Sequence, residues 1–231
     1  MVWGFVIAVA ALALLAWAWL SGREARRRRR SLASLAAGWG WTFTPSSTPA
    51  SSGVFDAVQE FRHGHSRHAS NTVEGSLSAW GRSIPWRMGD FEFRLTSPTG
   101  RGTTTDRYRL SYAAARLPTL TLPDLLIRPE GALDKLAGAF GFEDINFSSE
   151  EFSRMFHVRG RDERFARALI TTEVMEYLLT RPSVAVMIEG GWLCVTDGQR
   201  LWSVGEFGAM PAWLERFLGL WPESVVPGGK K

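Results

Sequence analysis

Cysteine is nearly absent from this chain of 231 residues: Cys194 stands alone. No intramolecular disulfide can form, so nothing ties the fold to an oxidising compartment, and a reducing cytoplasm suits it. Lysine is almost as scarce, with only Lys135, Lys230 and Lys231 among the 27 basic residues. That usage is in keeping with a GC-rich bacterial genome and carries no mechanism. The signatures of familiar chemistries are missing as well. No glycine-rich phosphate loop, nucleophile elbow or zinc-protease helix occurs, and no cofactor is indicated. There is also no internal repeat.

The formal net charge of +4 invites a nucleic-acid reading until its location is considered. Residues 23–30 hold six arginines and one glutamate, a local charge of +5, which leaves −1 for the rest of the chain. A nucleic-acid-binding domain spreads basic side chains over its fold, so no nucleic-acid partner is expected. The block is instead a short basic flank beside an apolar run.

That run extends from Val2 to Leu20 without a charge. At about 1.5 Å per residue it matches a hydrocarbon thickness of roughly 30 Å. Its larger aliphatic and aromatic members each favour insertion by about 0.3–0.6 kcal/mol. Trp3 lies at one end and Trp17 and Trp19 at the other, where indoles prefer the headgroup zones. A cleaved signal peptide wants a basic leader and a shorter apolar core, and this N-terminus has neither. The expectation is a transmembrane anchor over residues 1–22, single-pass in the cell membrane. Arg23, Arg26, Arg27, Arg28, Arg29 and Arg30 should then stay on the cytoplasmic side as a membrane-surface cluster. The same six can attract anionic lipid headgroups.

Beyond the anchor, residues 23–53 read as a basic juxtamembrane helix and linker. Ser31 to Gly38 continues the helix, with Gly38 as its stop, and Pro45 to Gly53 has loop composition. Residues 54–221 read as a soluble α+β domain, and residues 222–231 as a flexible tail. Val54 to Phe61 suggests a helical turn or two. Period-two alternation follows at Val73, Gly75, Leu77 and Ala79, at Phe91, Phe93 and Leu95, and at Tyr108, Leu110 and Tyr112. These spacings mark half-buried strands of an antiparallel meander. A polar loop from Ser97 to Thr105 is expected within it, and Leu120 with Leu122 begins another strand.

Helical spacing appears at Pro129 to Phe140 and at Asp162 to Thr180, the second with Asp162 as its N-cap. Ser148 with Glu151 fits a capping box ahead of Phe152 and Phe156. Ser183 to Ile188, Trp192 to Thr196 and Arg200 to Val204 read as three more strands joined by glycine turns. Pro211 suits the first turn of a last helix bearing Trp213, Leu214, Phe217, Leu218 and Trp221.

Candidate chemistry is thin. His63, His65 and His68 are spaced so as to invite a metal, but no nearby cysteine or carboxylate completes a tetrahedral set, so no metal site is assigned. Cys194 sits in an apolar strand run, where a thiol is a small hydrophobe. Glu150, Glu151, Asp162, Glu163, Glu173 and Glu176 fall in first helical turns, where the helix dipole already accounts for them. No catalytic residue emerges.

The stretch Glu151-Phe152-Ser153-Arg154-Met155-Phe156-His157-Val158, followed by Asp162, Ala166, Leu169, Met175 and Glu176, resembles a block in a family of bacterial, actinobacterial-type membrane-anchored proteins, a domain of unknown function. Ile188 and Leu193 fit it too. Arg67 to Asn71 with Gly75, and Leu117-Pro118 through Pro129-Glu130, are similar to its actinobacterial members. The resemblance covers most of the soluble part and consists of packing residues. It implies an anchored α+β domain and carries over no catalytic residue.

The sequence therefore leads to an N-terminal transmembrane helix followed by a mainly antiparallel-sheet domain packed with a few helices. Such a module, tethered at the cytoplasmic face, is expected to bind a protein partner or lipid. The alternative is a membrane-associated enzyme, a hydrolase among the options, with a site the sequence does not display.

Overall fold

The computed structural model describes residues 2–100, 102–118, 122–130 and 144–226, except the side chains of residues 2–18, 20 and 21. The first element, α1 (Val2–Trp39), is a single helix of 38 residues, about 57 Å long at 1.5 Å per residue. The expected anchor and the juxtamembrane helix are thus parts of one continuous rod. Its stop is Gly40 rather than Gly38. Gly40 has a φ of 70°, and the amides of Gly40 and Trp41 donate to the carbonyls of Ala37 and Ala36 at 3.1 and 2.9 Å. That double closure needs a left-handed residue after the helix, and Trp39 has a Cβ that disfavours it. Among the described residues no helix is long and apolar enough to cross a membrane. The expected anchor falls on a stretch whose side chains are almost all outside those described.

Beyond α1, a nine-stranded antiparallel sheet forms the body of the described residues. Its strands are β1 (Thr42–Thr44), β2 (Thr48–Pro49), β3 (His65–Ala79), β4 (Arg82–Thr99), β5 (Gly102–Arg116), β6 (Leu125–Pro129), β7 (Phe156–Gly160), β8 (Ala185–Glu189) and β9 (Trp192–Thr196). The order across the sheet is β1-β3-β4-β5-β9-β8-β6-β7, with β2 also on β3. Between β2 and β3 lie a short helix α2 (Val54–Ala57) and a 3-10 turn (Gln59–Arg62). The remaining helices are α3 (Glu150–Met155), α4 (Glu163–Leu169), α5 (Thr172–Leu179) and α6 (Val204–Gly219).

The meander is longer than its alternation indicated. Trp80 and Gly81, with φ of 53° and 68°, turn β3 tightly into β4, the twist that hairpins prefer. The expected loop from Ser97 to Thr105 is instead the end of a ladder. Thr96 faces Thr105 and Thr99 faces Gly102, and the two threonine hydroxyls at 96 and 105 lie 2.9 Å apart. β-branched threonines suit a pleated ladder better than a loop.

Period-two burial places two cores on the two faces. On one face Val73, Leu77, Ile84, Trp86, Met88, Val186 and Val195 pack under α1, α4, α5 and α6. The other face gathers Phe55, Phe61, Phe91, Tyr112 and Cys194 beneath α2 and the 3-10 turn. Phe55 contacts Phe61, Phe91 and Tyr112 at centroid distances of 5.3–5.5 Å.

Other expectations change as well. The helix expected over Asp162 to Thr180 is two helices, because Thr171 leaves the helical conformation and caps α5 by accepting from the Val174 amide at 3.4 Å. Asp162 does cap α4. The capping serine of α3 is Ser149 rather than Ser148, accepting from the Phe152 amide. Arg200 to Ser203 forms no strand but leads into a capping box in which Ser203 and Glu206 bond each other's amides. That box starts α6 seven residues ahead of Pro211, which therefore sits inside the helix. Pro129 ends β6 rather than opening a helix. The rest of the helix expected there, residues 131–140, and Leu120 lie outside the described residues. Pro222 to Val226 form a turn, with Val225 buried against the core.

Candidate functional site: the docked end of the basic helix

Where α1 meets the sheet, its buried face is set by Leu32 and Ala36, with Leu35 and Trp39 partly buried beside them. One turn before Leu32, the same face carries Arg28. Its Nη2 donates to Oδ1 of Asp90 at 3.0 Å. The Arg28 side chain is 21% exposed and that of Asp90 only 4%. A second Arg28 nitrogen donates to the Trp202 carbonyl, and the guanidinium lies over the Phe207 ring at 5.2 Å.

Asp90 accepts further donors: Nδ2 of Asn71 at 2.8 Å and Oγ of Ser111 at 2.6 Å. Ser111 in turn accepts from the Trp202 amide at 2.9 Å. A bulge in β3 between Ser70 and Val73 makes this convergence possible. It holds Asn71 at a φ of 51°, a left-handed conformation that asparagine tolerates better than most residues. Gly89 faces the bulge, and a Cβ there would come within 3.1 Å of the Ser70 carbonyl. One buried carboxylate thus fastens α1, β3, β5 and the approach to α6 together. Charge-assisted bonds of this kind satisfy a group whose burial would otherwise be costly.

The other five expected membrane-surface arginines, Arg23, Arg26, Arg27, Arg29 and Arg30, are exposed. Arg23 stacks over Trp19 at 4.6 Å, and Trp19 itself is 56% exposed. Arg28 alone of the six is drawn partly out of solvent.

Beside this dock a groove of about 350 Å³ is lined by Arg29, Arg94, Arg107, Arg109, His68 and Glu92, together with serines. Glu92, Arg94, Arg107 and Arg109 share one face of β4 and β5 by period two, Glu92 opposite Arg109 and Arg94 opposite Arg107. Glu92 pairs with Arg107 and lies 3.9 Å from Arg109. None of these three strand arginines was singled out by sequence, because isolated arginines in alternating strands look like a solvated face. The signal was the spacing Arg107-x-Arg109 opposite Glu92-x-Arg94.

The three histidines do not converge. His65 bonds the hydroxyls of Ser66 and Thr96 at 3.0 and 2.9 Å. His68 donates from Nδ1 to the Ser66 carbonyl at 2.9 Å. Among the described residues no group of three His, Cys, Asp or Glu side chains is placed to hold a metal ion. Cys194 is fully buried in β9, and burial pushes its thiol well above the ordinary range, so it stays a protonated hydrophobe.

No family model matches the chain, and no curated protein matches it. Among solved structures, the fold is similar to the crystal structure of the mycobacterial trehalose monomycolate transport factor A, TtfA. The TM-score is 0.53 and the identity 14%, over 87% of this chain and 97% of that one. At such identity the likeness is one of fold. What it shows is the α+β class, a mainly antiparallel sheet packed with a few helices.

Proposed function

We propose that this chain is a membrane-tethered interaction module that works beside a transport process at the cytoplasmic face of the cell membrane. The observation that carries the reading is the unbroken helix α1, which joins the uncharged run to the sheet and is clamped there through Arg28 and Asp90. A rod fastened at its far end sets the height and rotation of the domain above a bilayer, which a flexible linker would not do. The uncharged length of Val2 to Leu20 and the arginines after it supply the anchoring and the orientation. The fold neighbour is a transport factor, which favours an accessory role among membrane proteins over catalysis, although fold alone does not fix function. The partners proposed are anionic headgroups near the arginine block and a membrane protein.

Membrane fractionation of cells producing the full chain tests the reading. The expected outcome is retention through carbonate and high salt, with the domain protected from protease added outside intact cells. Release by carbonate, or digestion of the C-terminal region from outside, would falsify it.

A further inference from the structure

We infer that the groove beside the Arg28 dock is a binding site for a phosphate group, supplied by an anionic lipid headgroup. This rests on the reading of the chain as membrane-tethered.

The groove gathers like charges at close quarters. Arg94 and Arg107 are directly opposite each other on neighbouring strands, and like charges in that register destabilise a sheet. Glu92, the one carboxylate lining the groove, is engaged by Arg107 and approached by Arg109. Among the described residues neither Arg29 nor Arg94 has an ion-pair partner. Four guanidiniums and one carboxylate thus line one concavity. A phosphate offers several acceptor oxygens to such planar, forked donors, and this geometry suits arginine better than lysine.

Placement points to lipid as the source. Along β4 the groove face runs from Trp86 through Asp90 to Arg94. Trp86 packs against Trp41 just past the end of α1, Asp90 against Arg28, and Arg94 lines the groove with Arg29. The groove therefore lies toward the N-terminal end of α1, where the uncharged run is. Arg29 follows Leu20 by nine residues, about 14 Å of helix. The polar end of the β4–β5 ladder extends further the same way.

The test uses the full chain in non-ionic detergent at fixed ionic strength. Dihexanoyl phosphatidylglycerol, dihexanoyl phosphatidylcholine and inorganic phosphate are titrated separately, with 31P line broadening and calorimetry as readouts. Saturable binding of the phosphatidylglycerol is expected, weakened about tenfold or more in the double variant R94Q/R109Q. The control R164Q/R216Q, which loses the same charge away from the groove, should bind like the parent. Thermal unfolding checks that the variants are folded, and the exposed single change Arg94→Gln serves if the double variant is not, with a smaller loss expected. Equal binding of the phosphatidylcholine, an equal loss in the control, or no saturable binding overturns the site. Inorganic phosphate binding as tightly as the lipid overturns the headgroup as the source. Because the assay needs no bilayer, these outcomes are separable from carbonate extraction: a chain that washes off membranes can still bind, and an anchored one can fail to.

Discussion

Arg28 and Asp90 are 62 positions apart in the chain and joined at 3.0 Å in the fold. That pair converts a helix end into a fixed mount, because Asp90 is simultaneously held by Asn71 and Ser111. Removing the guanidinium leaves a nearly buried carboxylate short of its charged partner. Breaking a buried pair from one side costs about 3–5 kcal/mol. Since Arg28 retains some exposure, about 2–3 kcal/mol is expected for Arg28→Ala in denaturant unfolding of the full chain. Arg27→Ala, on the exposed face, should stay within about 0.5 kcal/mol. A double-mutant cycle with Asp90→Asn should show coupling above about 1 kcal/mol. Additive effects would mean that the pair does not hold α1 in place.

Arg28 also shows how far the sequence was readable. The stripe Leu32, Leu35, Ala36 and Trp39, traced one turn back, lands on Arg28. It was obscured because five neighbouring arginines supply a sufficient membrane explanation for the whole block. The meander and α+β class were legible because alternation over Val73 to Ala79 and Phe91 to Leu95 reports directly on burial of one strand face. The bulge at Asn71 was not, since it depends on the approach of β4 through Gly89. Nor was the dock's far side. Trp202 looks like a strand residue in sequence, yet it lies outside any strand and its amide is held by Ser111, a contact across 91 positions.

Glu60 provides a pH-dependent test. Burial raises its carboxyl from the usual range to about 7. Below the ordinary carboxylate value near 4.5 the group is protonated whether folded or unfolded, so it costs nothing there. As pH rises from 4.5 to 7 the unfolded chain ionises first, and stability falls until both states are charged. The loss is about 1–3 kcal/mol across that window. Glu60→Gln should flatten this segment of the stability-pH curve and raise stability at pH 8. An unchanged slope in the variant would show that Glu60 is ionised in the fold at neutral pH.

Gly75 is a packing requirement. A Cβ at this position would come within 2.4 Å of the Trp41 ring, which packs edge-on to Trp86 at 5.3 Å. Trp41 is the first residue past the Gly40 stop, so displacing it disturbs the seating of α1. Gly75→Ala is expected to cost about 1–3 kcal/mol through overpacking, and Gly75→Val more. Hydrogen exchange should show residues 32–41 opening faster by more than the global loss of stability in the alanine variant, while β8 and β9 exchange only with global unfolding. Uniform destabilisation with no local opening would argue against that seating.

Cys194 offers a reporter of the whole fold. Its side chain is fully buried between β5 and β8, level with Ala114 and Met187. Burial also keeps the thiol protonated well beyond neutral pH, with the nearby Glu60 carboxyl adding to the effect. Both the missing thiolate and the missing access suppress attack on a disulfide reagent. The native chain should therefore label far more slowly than an unfolded control. Destabilising denaturant should raise the rate in step with the global unfolding constant, because a central strand opens only when the sheet does. Arg28→Ala and Gly75→Ala should accelerate labelling in proportion to their lost stability. Fast modification of the native chain, or a rate indifferent to those variants, would mean that β9 opens locally and that the sheet is not one cooperative unit.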